Sequence, residues 1–213
     1  MTDDRASERR AAVLFMVGSS LFALGAVPSY AEAAGLRATA LTFFVGSLFF
    51  TSAAFLQFRD AGKAVTADPP IAHRGFVWAP SDTNWLACAV QLAGTLWFNW
   101  STGNAVRVNL DAAEADQRVW RPDALGSIAF LVASGLTWRD ARRDTVAGQP
   151  RPLVWWIAVA NLLGSIAFGV SAVASFVVPA SGDVWNAELS NLGTLVGALC
   201  FLVGAVLLWR DER

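Results

Sequence analysis

The sequence has few of the residues that build disulfides, metal sites and cofactor sites. Its 213 residues include two cysteines and one histidine. Cys88 and Cys200 both lie within apolar runs, where cysteine packs as a small apolar residue, so we expect no disulfide. The single histidine, His73, leaves too few ligands for a zinc or haem site, and we interpret His73 and Arg74 as part of a solvated or lipid-facing loop. We therefore expect no metal and no cofactor.

Charge is also scarce. Charged residues make up 15% of the chain and apolar residues 55%, whereas roughly a quarter of an ordinary soluble domain is charged. The charges lie in the gaps between apolar runs, and these runs are apolar on all sides rather than amphipathic, which favours a bilayer environment. The net charge of −1 gives no reason to expect nucleic-acid binding.

Catalytic motifs are missing from the sequence as well. The chain has no Gly-x-Ser-x-Gly elbow, no His-Glu-x-x-His pair and no phosphate-binding loop. Its acidic residues cluster in loops without a base or nucleophile at a fixed spacing. We therefore expect no enzymatic activity, and a membrane enzyme ranks last of three alternatives.

What the chain does contain is one pattern that occurs six times, each time within an apolar run. A glycine is followed four residues later by phenylalanine at Gly18–Phe22, Gly46–Phe50, Gly94–Phe98, Gly126–Phe130, Gly164–Phe168 and Gly197–Phe201. Runs of about 20 apolar residues can cross ~30 Å of hydrocarbon, so we interpret each run as a transmembrane helix. Glycine lets two helix backbones approach closely, and the phenylalanine projects from the same side into a neighbour's groove. We interpret the motif as helix packing, with a ligand site built from the glycines as the alternative.

The six predicted helices form three repeats of two. Twelve residues after the glycine, every second helix has an aromatic residue followed by arginine, at Phe58-Arg59, Trp138-Arg139 and Trp209-Arg210. We interpret these pairs as anchors at the inner membrane interface, with a docking surface for a cytoplasmic partner as the alternative. Self-similarity at a long period is typical of duplicated supersecondary units. The predicted fold is therefore all-α and integral to the membrane, with six transmembrane helices in three tandem hairpins. Its boundaries are a tail at 1–10, hairpins at 11–58, 85–138 and 153–209, a linker at 59–84, a loop at 139–152 and a tail at 210–213.

The basic residues predict the orientation of the chain. Twelve of the sixteen Lys and Arg residues lie in the two tails, the linker and the loop, and four lie on the other side. Because cytoplasmic segments carry the excess of Lys and Arg, we expect both termini in the cytoplasm. The first apolar run, 11–30, is long for a signal-peptide core and lacks a small-residue cleavage site. We therefore expect a multi-pass protein of a bacterial inner (plasma) membrane.

Polar side chains inside the predicted helices are candidate functional residues by default. These candidates are Gln91, Asn99, Asn161 and Thr194, together with Asp123 at a helix start. Gln91 and Asn161 each precede a glycine by three residues, so they lie at equivalent depths, where they line a cavity or form interhelical hydrogen bonds. Counted from the inner tryptophans at ~1.5 Å per residue, Asn99 and Asp123 both lie about 21–22 Å up, so we predict that they face each other. The alternative is that Asp123, which follows Pro122, caps the fourth helix.

Several of these motifs resemble the bacterial YrhK-like membrane family. The resemblance rests on Leu-Phe-x-x-Gly-Ser-x-Leu-Phe, Phe-Phe-Val-Gly-Ser-Leu-Phe-Phe-Thr, Gly-Thr-Leu-Trp-Phe-Asn-Trp-Ser-Thr and Arg-Pro-Asp-Ala-Leu-Gly-Ser in the first four helices. It covers most of 11–209 and is strongest in 11–140. The resemblance implies a two-helix module used several times in an integral membrane protein of uncharacterised function, and it implies no catalytic residues.

The predicted role is that of a structural or accessory membrane component. The alternative is a small-solute transporter or channel whose route is lined by Gln91, Asn99, Asp123 and Asn161, although transporters more often use inverted pairs than odd numbers of parallel repeats. The expected partner is the lipid bilayer, and a protein partner or a second copy of the chain stays open. No nucleic acid is expected.

Overall fold

The computed structural model describes residues 2–66, 77–143, 145 and 149–211, with the side chains of residues 2–4 excepted. The pair His73-Arg74 lies outside the described residues. Within them, all regular elements are helical apart from a single bridge between Val177 and Val184. The structure thus confirms the predicted all-α class.

Six long helices carry the six Gly-x-x-x-Phe motifs, one motif in each helix. They are α1 (Thr2–Gly25), α3 (Leu36–Val65), α4 (Thr83–Ala105), α6 (Arg121–Arg143), α7 (Leu153–Ala174) and α8 (Ala187–Asp211). The short segments are α2 (Pro28–Ala34), α5 (Ala112–Ala115) and a π-helical turn (Asp116–Trp120). The π-helical turn joins α5 directly to α6, so this stretch is helical from Ala112 onward.

The helix ends differ from the predicted boundaries in several places. α1 begins at Thr2, within the predicted tail 1–10, and α6 continues to Arg143, within the predicted loop 139–152. The first helix ends at Gly25, five residues before the predicted end, because Pro28 lies in the first turn of α2, where its missing N–H costs nothing. The axis of α2 is bent by 80° from that of α1. At the other end of the first hairpin, α3 continues to Val65, so the first residues of the predicted linker 59–84 are helical.

The six long helices form a closed ring. The most extensive contacts join α1 to α3, α4 to α6 and α7 to α8, which are the three predicted hairpins. Contacts of α3 with α4, α6 with α7 and α8 with α1 then join each hairpin to the next. Each helix therefore has one neighbour within its own hairpin and one from another hairpin, and the ring has a central axis.

Three helices in the described residues are long and apolar enough to cross a membrane, namely α3, α7 and α8. The bent pair of α1 (from Arg5) and α2 meets the same criteria when it is taken together, so there are three or four candidate spans. In α4 the polar side chains of Gln91 and Asn99 interrupt the apolar sequence, and α6 carries charged residues in its first and last turns. The chain has the helices of a membrane protein.

Candidate functional site

Each motif glycine packs against the motif phenylalanine of its hairpin partner. A Cβ atom placed on Gly18 would lie 2.7 Å from Cδ2 of Phe50, and one on Gly46 would lie 2.9 Å from Cδ2 of Phe22. The same reciprocal contacts join Gly94 to Phe130, Gly126 to Phe98, Gly164 to Phe201 and Gly197 to Phe168. Glycine is required at these positions because the neighbouring ring occupies the space that a side chain would need.

The six motif phenylalanines meet on the axis of the ring, and we call them the phenylalanine core. Its members are Phe22, Phe50, Phe98, Phe130, Phe168 and Phe201. Rings touch within each hairpin, as in Phe98–Phe130 at a centroid distance of 5.1 Å, and also between hairpins, as in Phe130–Phe201 at 5.6 Å. The core therefore fills the centre of the bundle at the level of the glycines.

The antiparallel hairpins explain why the rings converge at one level. The two glycines of a hairpin lie side by side, since a Cβ atom on Gly18 would be 3.0 Å from the carbonyl oxygen of Gly46. Phe22 and Phe50 lie four residues beyond their glycines in opposite directions. Side chains on a helix lean toward its N-terminus, so both rings lean back toward the glycine level and meet there.

A cavity of about 140 Å³ lies on the axis on one side of the phenylalanine core, at the end that holds both termini. We call it the carboxamide cavity, because Gln57, Asn84, Gln91 and Asn161 line it together with Thr137. Phe50, Phe130 and Phe201 close it toward the centre. Two predicted polar candidates, Gln91 and Asn161, thus line one cavity.

A second cavity, of about 490 Å³, lies on the opposite side of the phenylalanine core. We call it the hydroxyl cavity, because its lining includes Thr39, Ser101, Thr102, Ser171, Ser175, Ser190 and Thr194. Asp123 also lines this cavity, and Phe22 is the member of the phenylalanine core that lines it. Polar candidates therefore lie on both sides of the core, but the rings separate the two cavities.

Hydrogen bonds between side chains join the first hairpin to the second along α3 and α4. Gln91 donates to Gln57 (3.1 Å), Asn99 donates to Thr51 (2.8 Å), and the hydroxyls of Ser47 and Thr102 lie 3.0 Å apart. We call these three pairs the α3–α4 ladder. Asn99 belongs to this ladder, and Gln91 belongs both to the ladder and to the carboxamide cavity.

The structure shows no hydrogen bond between Asn99 and Asp123, which were predicted to face each other. Asn99 contacts Thr51 of α3, whereas Asp123 is part of the lining of the hydroxyl cavity, to which Asn99 does not belong. The alternative prediction, that Asp123 caps the fourth helix, is wrong. The helical stretch already runs through Asp123 from Ala112, and its cap is Asp111, which accepts from the backbone N–H of Glu114 (2.8 Å).

The predicted anchor residues pack at the end of the bundle that holds the termini. The rings of Phe58 and Trp85 pack at a tilt (5.4 Å between ring centroids), Arg142 lies over the ring of Trp138 (4.5 Å), and Arg9 lies over that of Trp209 (5.9 Å). Arg59 donates to Ser7 (2.8 Å) and binds Asp60 (3.1 Å), whereas Arg139 and Arg210 are exposed. The contacts of Phe58 with Trp85, of Arg9 with Trp209 and of Arg59 with Ser7 connect different helices, which the interfacial interpretation alone did not require.

Gln57 and Thr137 were missed as cavity residues at the sequence level. Each lies eleven residues after the glycine of its helix, and both line the carboxamide cavity. The third residue at this offset is Leu208, which also lines it. The repeat offset was therefore a usable signal, because equivalent positions in a pseudo-threefold ring face the same axis.

No group of three or more His, Cys, Asp or Glu side chains that could hold a metal ion occurs in the described part of the chain. Comparison of the chain with protein-family models, with curated proteins and with solved structures gives no match. The functional argument therefore rests on the geometry of the ring, its core and its two cavities.

Proposed function

We propose that the chain is a six-span inner-membrane protein with both termini in the cytoplasm, acting as a structural or accessory membrane component rather than an enzyme. The single observation that carries this role is the phenylalanine core. It fills the bundle axis with touching aromatic rings, so that helix packing, and not an open path, occupies the centre.

Six crossings are supported by the way α4 and α6 pack. Both helices have 23 residues, which corresponds to about 35 Å at ~1.5 Å per residue, and α7 has 22. They pack beside α3 and α7, and their glycines and phenylalanines lie at the same level as those of the other hairpins. If α3 and α7 cross a bilayer, α4 and α6 cross it too.

The outward face of α6 also suits lipid. Leu125, Ile128 and Val132 are exposed on it, with Ile128 exposed to 56%. Exposed apolar side chains at this spacing line one face of a helix, and a contiguous apolar surface of this kind suits hydrocarbon rather than water. Together with the excess of basic residues at the end that holds the termini, this face supports the proposed topology.

A small-solute transporter or channel is the second candidate, and the two cavities favour it. The carboxamide and hydroxyl cavities lie on opposite sides of the core, and polar side chains form part of the lining of each. Polar side chains that face the interior of a bundle mark solute pathways in many membrane proteins, and hydrophobic constrictions close channels by excluding water. In this interpretation the phenylalanine core is a closed gate.

A leak assay on the full-length protein in liposomes distinguishes the two roles. For the accessory role we expect no flux of K⁺ or glycerol above that of protein-free liposomes, and a K⁺ leak when Phe130 is replaced by alanine. Flux through the wild-type protein would contradict the accessory role and support the transporter. A Phe130→Ala protein that is folded but tight would show that the core is not the seal.

The family resemblance and the partners belong to the same proposal. The repeated two-helix hairpin supports membership of the YrhK-like family, and the exposed apolar surface supports the bilayer as the main partner. A protein partner or a second copy of the chain would have to dock on this lipid-facing surface or on the loops.

A further inference from the structure

Asp123 occupies a position whose equivalents in the other two hairpins are uncharged. It lies three residues before Gly126, as Phe43 and Thr194 lie three residues before Gly46 and Gly197. All three side chains line the hydroxyl cavity. The second hairpin is therefore the one in which the repeat places a carboxylate beside the axis.

The other two hairpins satisfy this position locally. In the third, the hydroxyl of Thr194 lies 2.8 Å from that of Ser171, seven residues after the glycine of α7. In the first, the same offset from the glycine of α1 gives Gly25, and the ring of Phe43 lies over it, since a Cβ atom there would be 2.8 Å from Cζ. Neither arrangement leaves a polar atom without a partner.

In the second hairpin the equivalent pair does not form. Ser101, at the same offset, donates instead to the carbonyl oxygen of Val119 in the π-helical turn (2.8 Å). Asp123 forms no hydrogen bond or ion pair with the described residues. Asp123 is partly buried where it lines the cavity, and a partly buried carboxylate is stabilised by a nearby positive charge or by hydrogen-bond donors, which the described residues do not supply.

The surroundings of Asp123 indicate the chemistry of that partner. Among the described residues that line the hydroxyl cavity, Asp123 is the one with a charged side chain, and hydroxyl groups such as those of Ser175, Ser190 and Thr194 make up most of the other polar lining. One carboxylate with neutral oxygen ligands suits a monovalent cation, because Ca²⁺ and Mg²⁺ sites use more carboxylate or water ligands. At about 490 Å³, the cavity also has room for several waters at ~30 Å³ each.

We propose that the hydroxyl cavity binds a small monovalent cation, with Asp123 supplying the charge and the surrounding hydroxyls supplying neutral oxygen ligands. The site lies on the side of the phenylalanine core away from the termini. It goes beyond the proposed function, since a structural component and a transporter could both hold such a cation. It also depends on the cavity rather than on the number of membrane crossings.

Thermal unfolding of the full-length protein in a non-ionic detergent tests the proposal. Tm is measured in NaCl, in KCl and in N-methylglucamine chloride at equal ionic strength. We expect Na⁺ or K⁺ to raise the Tm of the wild-type protein by about 2–4 °C when the cation concentration is about five times its Kd. The Asp123→Asn variant, which keeps the shape and removes the charge, is expected to lose this response. Asp140→Asn, which neutralises an exposed carboxylate on the side of α6 near the termini, is the matched control and keeps it.

An equal response in the wild-type and Asp123→Asn proteins, or none in either, would overturn the cation site. If Asp123→Asn does not fold, sodium-23 relaxation on the wild-type protein decides. The proposal is supported if the protein increases the relaxation rate of sodium-23 in a saturable way, with one site per chain, and if K⁺ removes this increase. The absence of such an increase overturns the proposal. Neither result bears on the accessory role or on the six crossings, which the leak assay and cysteine labelling test separately.

Discussion

Glycine at the centre of each long helix is a requirement of packing, and Gly197 shows it most clearly. A Cβ atom there would overlap the ring of Phe168 and lie 3.0 Å from the carbonyl oxygen of Gly164. The ring belongs to the phenylalanine core and the carbonyl to a helix backbone, so neither can move aside. The same residue type in the same helical environment is dispensable where no neighbour approaches, as at Gly135.

Replacement of Gly197 by alanine is therefore expected to destabilise the protein by about 1–3 kcal/mol, the usual cost of overpacking a core. Gly135→Ala is the matched control. Because nothing lies within 4 Å of its Cβ position, it is expected to be neutral or to stabilise by up to about 1 kcal/mol through helix propensity. Reversible unfolding of both variants in detergent measures the difference. Equal effects would contradict the proposed packing.

Asp60 and its neighbour Arg59 are charged residues that join α1 to α3, through Ser7, at the end of the bundle that holds the termini. Asp60 lies two residues after Phe58, beyond the apolar run. Burial alone would raise the pKa of its carboxyl group, but hydrogen bonds from Ser7, Lys63 and Arg59 outweigh this effect and hold its pKa below the usual 3.8. Lys63 lies 3.0 Å from the carboxylate.

A lowered pKa means that the ionised carboxylate stabilises the fold at neutral pH, and that this contribution is lost as the pH falls through the folded-state pKa, below 3.8. We expect Asp60→Asn to have a lower Tm than the wild-type protein at pH 7. The Tm difference is expected to shrink steadily as the pH falls below 3.8. A difference that stays constant into acid would contradict a stabilising role for the charge.

At the scale of the element, the α3–α4 ladder joins two hairpins that the sequence shows only as separate repeats. Removing one bond between transmembrane side chains typically costs about 0.6–1.7 kcal/mol. Asn99→Leu is expected to cost about this much, and Thr51→Val to add little to it, because both changes remove the same hydrogen bond. A double-mutant cycle of unfolding free energies measures the coupling.

Asn104→Ala serves as the control for this cycle. Among the described residues, the Asn104 side chain bonds only to the carbonyl oxygen of Trp100 within its own helix, so its removal is expected to change stability by no more than about 0.5 kcal/mol. Additive effects of Asn99→Leu and Thr51→Val would mean that the ladder does not couple the hairpins.

The repeat made some contacts between helices predictable and left others unpredictable. The fixed offset from glycine to phenylalanine predicted which residues pack together, because both lie on one helical face. Counting residues along α4 and α6 gave the height of each side chain in the bundle, but not the direction in which it points around the helix axis. Asn99 therefore turned out to contact Thr51 of α3, while Asp123 lines the hydroxyl cavity.

The continuous helix from Ala112 through α6 could not be predicted either. The alternative prediction that Asp123 caps the fourth helix placed the start of that helix after Pro122. In the structure a π-helical turn precedes Pro122, and π-helical turns accommodate irregularities within a helix. Ser101 donates to a carbonyl of this turn, and the indole of Trp120 donates to Ala172 of α7 (2.9 Å). These tertiary contacts have no signal in the local sequence.

At the scale of the whole molecule, three copies of one hairpin make a ring that no single copy could close. Each motif glycine is covered by its hairpin partner, and each phenylalanine reaches an axis that exists only when all three hairpins assemble. The repeat predicted three units. The closure of α8 onto α1 depends on the curvature of the assembled hairpins, which the sequence pattern does not contain.

The central claim is that the chain crosses the membrane six times. α4 and α6 are the helices that decide it, because their composition alone does not identify them as membrane spans. In a Cys88→Ala, Cys200→Ala background, single cysteines at Ser81, Asn109, Thr145 and Ser181 are labelled in intact cells with a membrane-impermeant maleimide. We expect labelling at Asn109 and Ser181, and labelling at Ser81 and Thr145 only after permeabilisation. If Asn109 is instead protected together with Ser81, α4 does not cross the membrane and the six-span topology is wrong.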